Sequence, residues 1–461
     1  MSATSQNATS AQTQTQTANE APGFKWLVAV VLGCCYTLSY IDRQIISLLI
    51  DPIKLSFGLS DTQVGLMQGL SFSLFYVAAS LPLAWFADRG HRAAVISFCL
   101  AGWSTMTMLC GLAQSYAQLF LARIGVAFGE AGLPPAALTT IADLFDPRRL
   151  ALPTAIFMLA PFIGGGLSLL GGGALYAATE SWTIPSLPGI GVLERWQLVF
   201  IIVGAPGAPL AFFVYWMIRR AGRARAAQRQ SFSESLGFIR KRWRFTMFYM
   251  LAMGLSMTLM SAYVTWLPAA VMRSKGIDEQ TIGVLFGPIY LIAGAAGTLG
   301  AGMIIARISA NDPVGTILKF MRACALLLLP VGIIGPLAGS LWLELALMGM
   351  CILLISSIAS VSSLPFQYVA PMHLRAQSIA VLALISALLG TGSGPIVAGV
   401  LSDVLSFVDQ PLSWALTLIA GVTMPIVFAL LHFVALYHKK ARIDLEAGTL
   451  MGTNAALANE A

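Results

Sequence analysis

Residues 196–218 read WQLVFIIVGAPGAPLAFFVYWMI, and residues 219–244 read RRAGRARAAQRQSFSESLGFIRKRWR. The first stretch carries no acid or base and is longer than the roughly 20 apolar residues that cross a bilayer. The second holds eight Arg and one Lys against the single acid Glu234. An apolar span that ends on so basic a run stops at a membrane surface, and the positive-inside rule puts that run in the cytoplasm. The junction marks the middle of the chain and sets the orientation of everything on either side.

Working outward, apolar stretches recur on both sides. Before the junction they fall at 25–50, 61–86, 93–112, 116–143, 150–178 and 196–218; after it, at 245–272, 280–305, 314–338, 341–370, 376–402 and 411–437. The composition agrees, with 57% hydrophobic and only 10% charged residues against about 25% charged in soluble domains. The runs are continuous rather than alternating, which argues against a β-barrel. The predicted fold is an all-α integral membrane protein of twelve spans in two six-helix bundles related by a pseudo-two-fold axis. The predicted parts are a disordered cytoplasmic tail over 1–22, bundles over 23–218 and 245–438, a basic linker over 219–244, and a second cytoplasmic tail over 439–461.

The net charge of +7 follows the same topology. Basic residues gather in every second loop, at Arg89, His91 and Arg92, Arg148 and Arg149, Arg307, His373 and Arg375, and the cluster from His438 to Arg442. The opposite loops hold Asp51, Asp61, Glu180, Glu194, Glu344 and Asp409. A polyanion partner such as nucleic acid is therefore not expected, and both termini are placed in the cytoplasm. The six cysteines lie inside spans without CxxC or Cys/His spacing, so neither disulfides nor a metal site is expected. Within the linker, Phe232, Leu236, Ile239 and Trp243 recur at helical spacing beside Arg240 to Arg244. Two readings stand: an amphipathic helix on the inner leaflet, or a solvated basic linker.

The halves echo each other. Gly65, Gly69 and Arg89 recur 218 positions on as Gly283, Gly287 and Arg307. Arg149, Gly164, Gly166 and Gly173 recur 226 positions on as Arg375, Gly390, Gly392 and Gly399. Two six-span halves of like orientation are the parallel-repeat design of secondary transporters.

Charge inside a span is costly unless it faces a partner or a water-filled path. Four such residues stand out: Asp42 and Arg43 in span one, Arg123 and Glu130 in span four. Arg123 and Glu130 are two turns apart and share a helix face. Asp42 and Arg123 lie about seven or eight residues from the outer ends of their spans, so at 1.5 Å per residue they sit at similar height and can pair. Adjacent Asp42 and Arg43 point about 100° apart, so they cannot both face Arg123. Burial favours the neutral form of a carboxyl and a nearby Arg favours its anion. Glu130 is thus read as a proton switch that releases Arg123 on protonation, leaving Arg123 or Arg43 to re-pair; the other reading is a permanent salt-bridge network. Helix breakers at Pro161, Gly164 and Gly166 and at Gly390, Gly392 and Pro395 are hinge candidates, or sites of close packing. The second half carries no acid or base near mid-depth; Lys319, Arg322 and His432 lie towards cytoplasmic ends.

After span two, the stretch from Ala84 to Arg92, AWFADRGHR, resembles the loop motif G-x-L-A-D-R-x-G-R-R of major facilitator transporters. Asp88, Arg89 and Arg92 match; Ala84 and His91 replace glycines. The resemblance implies a cytoplasmic latch in which Asp88 faces the N-terminus of span eleven and Arg92 pairs with Asp143 at the end of span four, with Arg89 and Arg149 on the same side. The plainer reading is a set of ordinary positive-inside charges. YIDR at 40–43, GLMQG at 65–69, ADR at 87–89 and RIGVAFGEA at 123–131 together resemble the Spinster branch of that superfamily, over about residues 25–180. That branch carries lipids with charged heads, such as sphingosine-1-phosphate and lysophospholipids. The resemblance implies proton-linked cycling driven by Asp42, Arg43, Arg123 and Glu130.

The expected function is a proton-coupled, alternating-access transporter of an amphipathic anion or a lysolipid- or sphingolipid-like molecule. The alternatives are a drug or metabolite/proton antiporter of the same fold, and a non-transporting receptor or scaffold. No nucleophile–base set or phosphate loop supports an enzyme. Protons are the expected coupling ion, with no other cofactor. The expected partners are the substrate and membrane lipids, for a monomer in a bacterial cytoplasmic membrane.

Overall fold

A computed structural model describes residues 22–146, 149–182, 186–188, 191–220, 232–308, 312–370 and 374–459. Most of the expected N-terminal tail, linker residues 221–231, Arg148 and His373 lie outside them. Among the described residues, ten helices are long and apolar enough to cross a membrane. One of these, Asp61–Cys110, is a continuous 50-residue run that turns at Gly90, whose φ of 92° suits a residue without a side chain. It therefore carries both span two and span three. Span four is divided into Tyr116–Glu130 and Leu133–Leu144, where Pro134 and Pro135 open the second piece.

Helix ends follow local chemistry. Ser60 caps Asp61–Leu66 through a reciprocal bond pair with Gln63. Ser115 and Ser340 cap Tyr116–Glu130 and Leu341–Val361 through their hydroxyls. Gly276, at φ 64°, closes Trp243–Lys275. A short antiparallel pair, Ser186–Leu187 with Gly191–Val192, lies between spans five and six and was not expected. The linker forms a helix over Phe232–Lys241. The last helix runs Pro411–Asn459, well past the apolar part of span twelve.

The chain forms two compact units. Among the described residues, one comprises those up to 49 and from 74 to 220, the other those from 50 to 73 and from 232 on. The start of span two thus packs with the second half of the sequence. A side chain at Gly65 would strike the Pro395 carbonyl, and one at Gly69 the Gly392 carbonyl. Only glycine permits so close an approach of two backbones. Beside this contact, span two widens into a π-helical turn over Met67–Ser71 and span eleven into another over Ser386–Thr391. Such turns are enriched at functional sites.

The hinge candidates divide on this point. Ala151–Ala178 is one unbroken helix through Pro161, Gly164 and Gly166. A side chain at Gly164 would meet Tyr40 Cβ at 2.7 Å, so this glycine serves close packing on span one. Gly390 and Gly392 fall in or next to the irregular turn of span eleven, and beyond it the Pro395 carbonyl accepts from Trp266 Nε1 at 2.9 Å.

Candidate functional site

In the first unit the four intramembrane charges come together in two pairs. Asp42 is buried between spans three and four. Its Oδ1 lies 3.5 Å from Arg123 Nη1, and its Oδ2 accepts from the Thr107 hydroxyl. Arg43, one residue on, pairs with Glu130, and its Nε donates to Glu130 Oε2 at 3.1 Å. Asp42, Arg123 and Glu130 are all at most 2% exposed, whereas the Arg43 side chain is 25% exposed. The expected Asp42–Arg123 pair is present. Glu130, read from the sequence together with Arg123, forms an ion pair with Arg43. A single turn of span one thus serves both levels of span four, because its adjacent side chains diverge.

Small residues make this packing close. A side chain at Gly129 would meet the Trp103 backbone at 2.5 Å, and one at Gly125 Met106 Sδ at 2.6 Å. Spans three and four can therefore approach until Thr107 reaches Asp42. Ser168 of span five donates to the Ile41 carbonyl at 2.8 Å, fixing span one beside the charges. The Arg43 guanidinium also lies 4.9 Å from the Tyr40 ring centre and 5.4 Å from that of Tyr76, an aromatic setting that favours a cation. Thr107 and Tyr76 were not singled out in the sequence, and Tyr40 entered only as the first residue of YIDR. Their only signal is a polar side chain at the height of a buried charge.

Among the latch residues, Arg92 pairs with Asp143 and donates to the Thr139 carbonyl at 3.2 Å, joining spans three and four. Arg89 lies over the Trp85 ring, 3.1 Å from its centre. Asp88 is half-buried, and Arg149 is exposed in the turn that follows span four. The glycine that the turn requires is Gly90, one position before the one that the motif led us to expect.

The second unit holds a charged cluster that sequence reasoning missed. Arg273, near the end of span seven, donates to Asp51 Oδ1 at 2.6 Å and to Asp61 Oδ2 at 2.7 Å. Lys54 also pairs with Asp61, and Ser402 donates to it at 2.7 Å. Asp403 accepts from the backbone N–H groups of Asp61 and Thr62 at 3.1 and 2.8 Å. The available signal was Arg273 itself, a base on the face where acids prevail. Among the described residues no cluster fits a metal ion.

This arrangement joins a helical scaffold to paired intramembrane charges, and the sequence pattern of the Major Facilitator Superfamily matches residues 32–395. The chain belongs to the Major Facilitator Superfamily. Its relatives within the superfamily include Spinster-like transporters. A bacterial homologue of the human lysosomal transporter Spinster, solved inward-facing and unoccupied, is 26% identical with a TM-score of 0.74, over 91% of this chain and 97% of that one. Human protein spinster homolog 1 is 27% identical over 62% of this chain and 55% of its own length. An MFS-type efflux pump of Mycolicibacterium smegmatis is 32% identical over 90% of this chain and 93% of its own length. This major facilitator protein is thus an integral, multi-pass membrane transporter of a small molecule, not an enzyme.

Proposed function

We propose that this protein is a proton-coupled, alternating-access transporter of an amphipathic anion of the lysolipid or sphingoid-phosphate kind. The observation that carries the reading is the pair of Glu130 with Arg43. One partner is buried and the other is partly exposed, so a proton or an anionic head group reaching Arg43 competes for the same contact. Protonation of Glu130 removes the counter-charge of Arg43 and frees the guanidinium for an anion. Loss of the proton restores the pair and expels the anion. Arg123 and Asp42 keep the adjoining charges neutralised during that exchange, held by Thr107. Tyr40 and Tyr76 give the guanidinium an apolar-faced seat suited to a head group with a lipid tail. Both termini are placed in the cytoplasm and the protein in a bacterial inner membrane, as a monomer with protons as coupling ion. The Arg92–Asp143 pair, with Asp88, Arg89 and Arg149 around it, then belongs to a cytoplasmic latch. Similarity to the sphingosine-1-phosphate transporter of mouse, 29% identical over 38% of this chain and 33% of that protein, supports the lipid class.

The test is uptake into proteoliposomes driven by a pH gradient, with a lysophospholipid, a sphingoid phosphate and a cationic dye, for wild type and Glu130→Gln. Proton-dependent movement of one lipid, lost in the variant, is the expected result. Unchanged pH dependence in the variant would overturn the switch. A second reading, a drug/proton antiporter, is favoured by the 32% identity to the mycobacterial efflux pump. Movement of the dye alone would select it.

A further inference from the structure

We propose that the surface along the seam of spans nine and twelve binds the phosphate head group of an anionic phospholipid. Span nine, Pro313–Ile334, and span twelve, within Pro411–Asn459, pack side by side. Arg322 lies nine residues into span nine, about 14 Å from its start at 1.5 Å per residue. His432 lies six residues before His438, about 9 Å from the same end of span twelve. Arg322 Nη1 and His432 Nδ1 are 3.0 Å apart. A guanidinium has no acceptor, so the imidazole nitrogen accepts, and its proton is on Nε2. The contact therefore neutralises nothing: it leaves the Arg322 charge in place and adds a free N–H donor.

Among the described residues the surroundings supply no anion. Neither span carries an acid between residues 313 and 334 or between 411 and 439. Asp312, at the start of span nine, is engaged by His438 at 3.2 Å and caps Gly315. On the helices packed against span nine, Glu279 and Glu344 stand at the opposite ends, and Glu344 pairs with Lys275. Lys319, exposed one turn before Arg322, adds a second cation on the same face. Arg322 Nε is buried with no hydrogen-bond partner among the described residues. A cation at this depth needs an anion or a path to water. The flanks identify the source of that anion: Leu326, Phe433 and Leu436 are exposed beside it, at 57%, 47% and 51%. They offer an apolar surface for acyl chains, which free phosphate would not use.

The test is native mass spectrometry of the purified full-length protein with phosphatidylglycerol, with phosphatidylcholine of the same chains, and with inorganic phosphate. Preferential retention of phosphatidylglycerol is expected, falling about fivefold in Lys319→Gln, the scale of one basic residue at a lipid surface, and further in Arg322→Gln. His432→Phe removes the Nε2 donor and should weaken retention while leaving the cations. Arg307→Gln, at the end of span eight, should have no effect. Equal retention of the two lipids, an equal fall in Arg307→Gln, or phosphate binding as strong as that of phosphatidylglycerol would each overturn the proposal. Should Arg322→Gln fail to fold, the exposed Lys319→Gln carries the test alone.

Discussion

Asp42 and Arg43 are neighbours in sequence, yet one is bound to Arg123 and Thr107 and the other to Glu130. Their energetic roles differ accordingly. Asp42→Asn removes the carboxylate that faces a fully buried guanidinium, a change that costs about 3–5 kcal/mol when a buried pair is broken. Thr107→Val removes one hydrogen bond to a charge, about 1.5–3 kcal/mol. Thermal unfolding in detergent should show a larger fall for Asp42→Asn than for Thr107→Val. Asp42→Asn combined with Arg123→Gln should recover part of the loss. Equal falls for the two single variants would mean that burial of the ion pair is not what stabilises this site. The four charges were legible in the sequence because ionisable residues inside apolar spans are rare and are placed by counting along each helix. Their pairing was only half legible. Span four presents Arg123 and Glu130 on one face, but which of them meets Arg43 depends on the depth and rotation of span one, set by contacts such as Ser168 to Ile41.

At the scale of elements, the contact of span two with span eleven rests on glycine. Gly69→Ala places a methyl against the Gly392 carbonyl, and overpacking of this kind costs about 1–3 kcal/mol. Gly102→Ala, where an added methyl meets nothing within 4 Å, should instead be neutral or stabilising by up to about 1 kcal/mol from helix propensity. The melting temperatures of these two variants should therefore move in opposite directions or differ clearly; a shared shift would remove the packing argument. The cap supplied by Asp403 is a separate element. Asp403→Ala should speed hydrogen exchange in the peptide over 60–66, because a lost cap costs about 0.5–2 kcal/mol. Unaltered exchange there would show that the Asp61 and Thr62 amides do not depend on that carboxylate. Gly65 and Gly69 were visible as repeats of Gly283 and Gly287, whereas the surface they touch was not. A glycine shows that something comes close, and only the fold says what it is.

For the whole molecule, the alternation of basic and acidic loops makes a prediction that no single helix can. In a background with exposed Cys34 replaced by Ser, His91→Cys should react with an impermeant thiol reagent only from the cytoplasm. Asp409→Cys should react only from outside, and labelling of both from one side would contradict the topology. The succession of spans was legible because hydropathy is a local property, summed over each 20-residue window. The grouping of residues 50–73 with the second half was not, because it depends on Arg273, Ser402 and Asp403, more than 200 residues away. That grouping has a consequence for biosynthesis. Asp61 leaves the ribosome long before Arg273 or Asp403 exists, and at 5–20 residues per second the delay is on the order of ten seconds or more. During that interval the glycine face of span two has no native surface to meet, and Asp51 and Asp61 lack Arg273. The nascent first half must be held by lipid or by the insertion machinery until the second half is made. Expressed alone, each half would leave its own side of this contact uncovered.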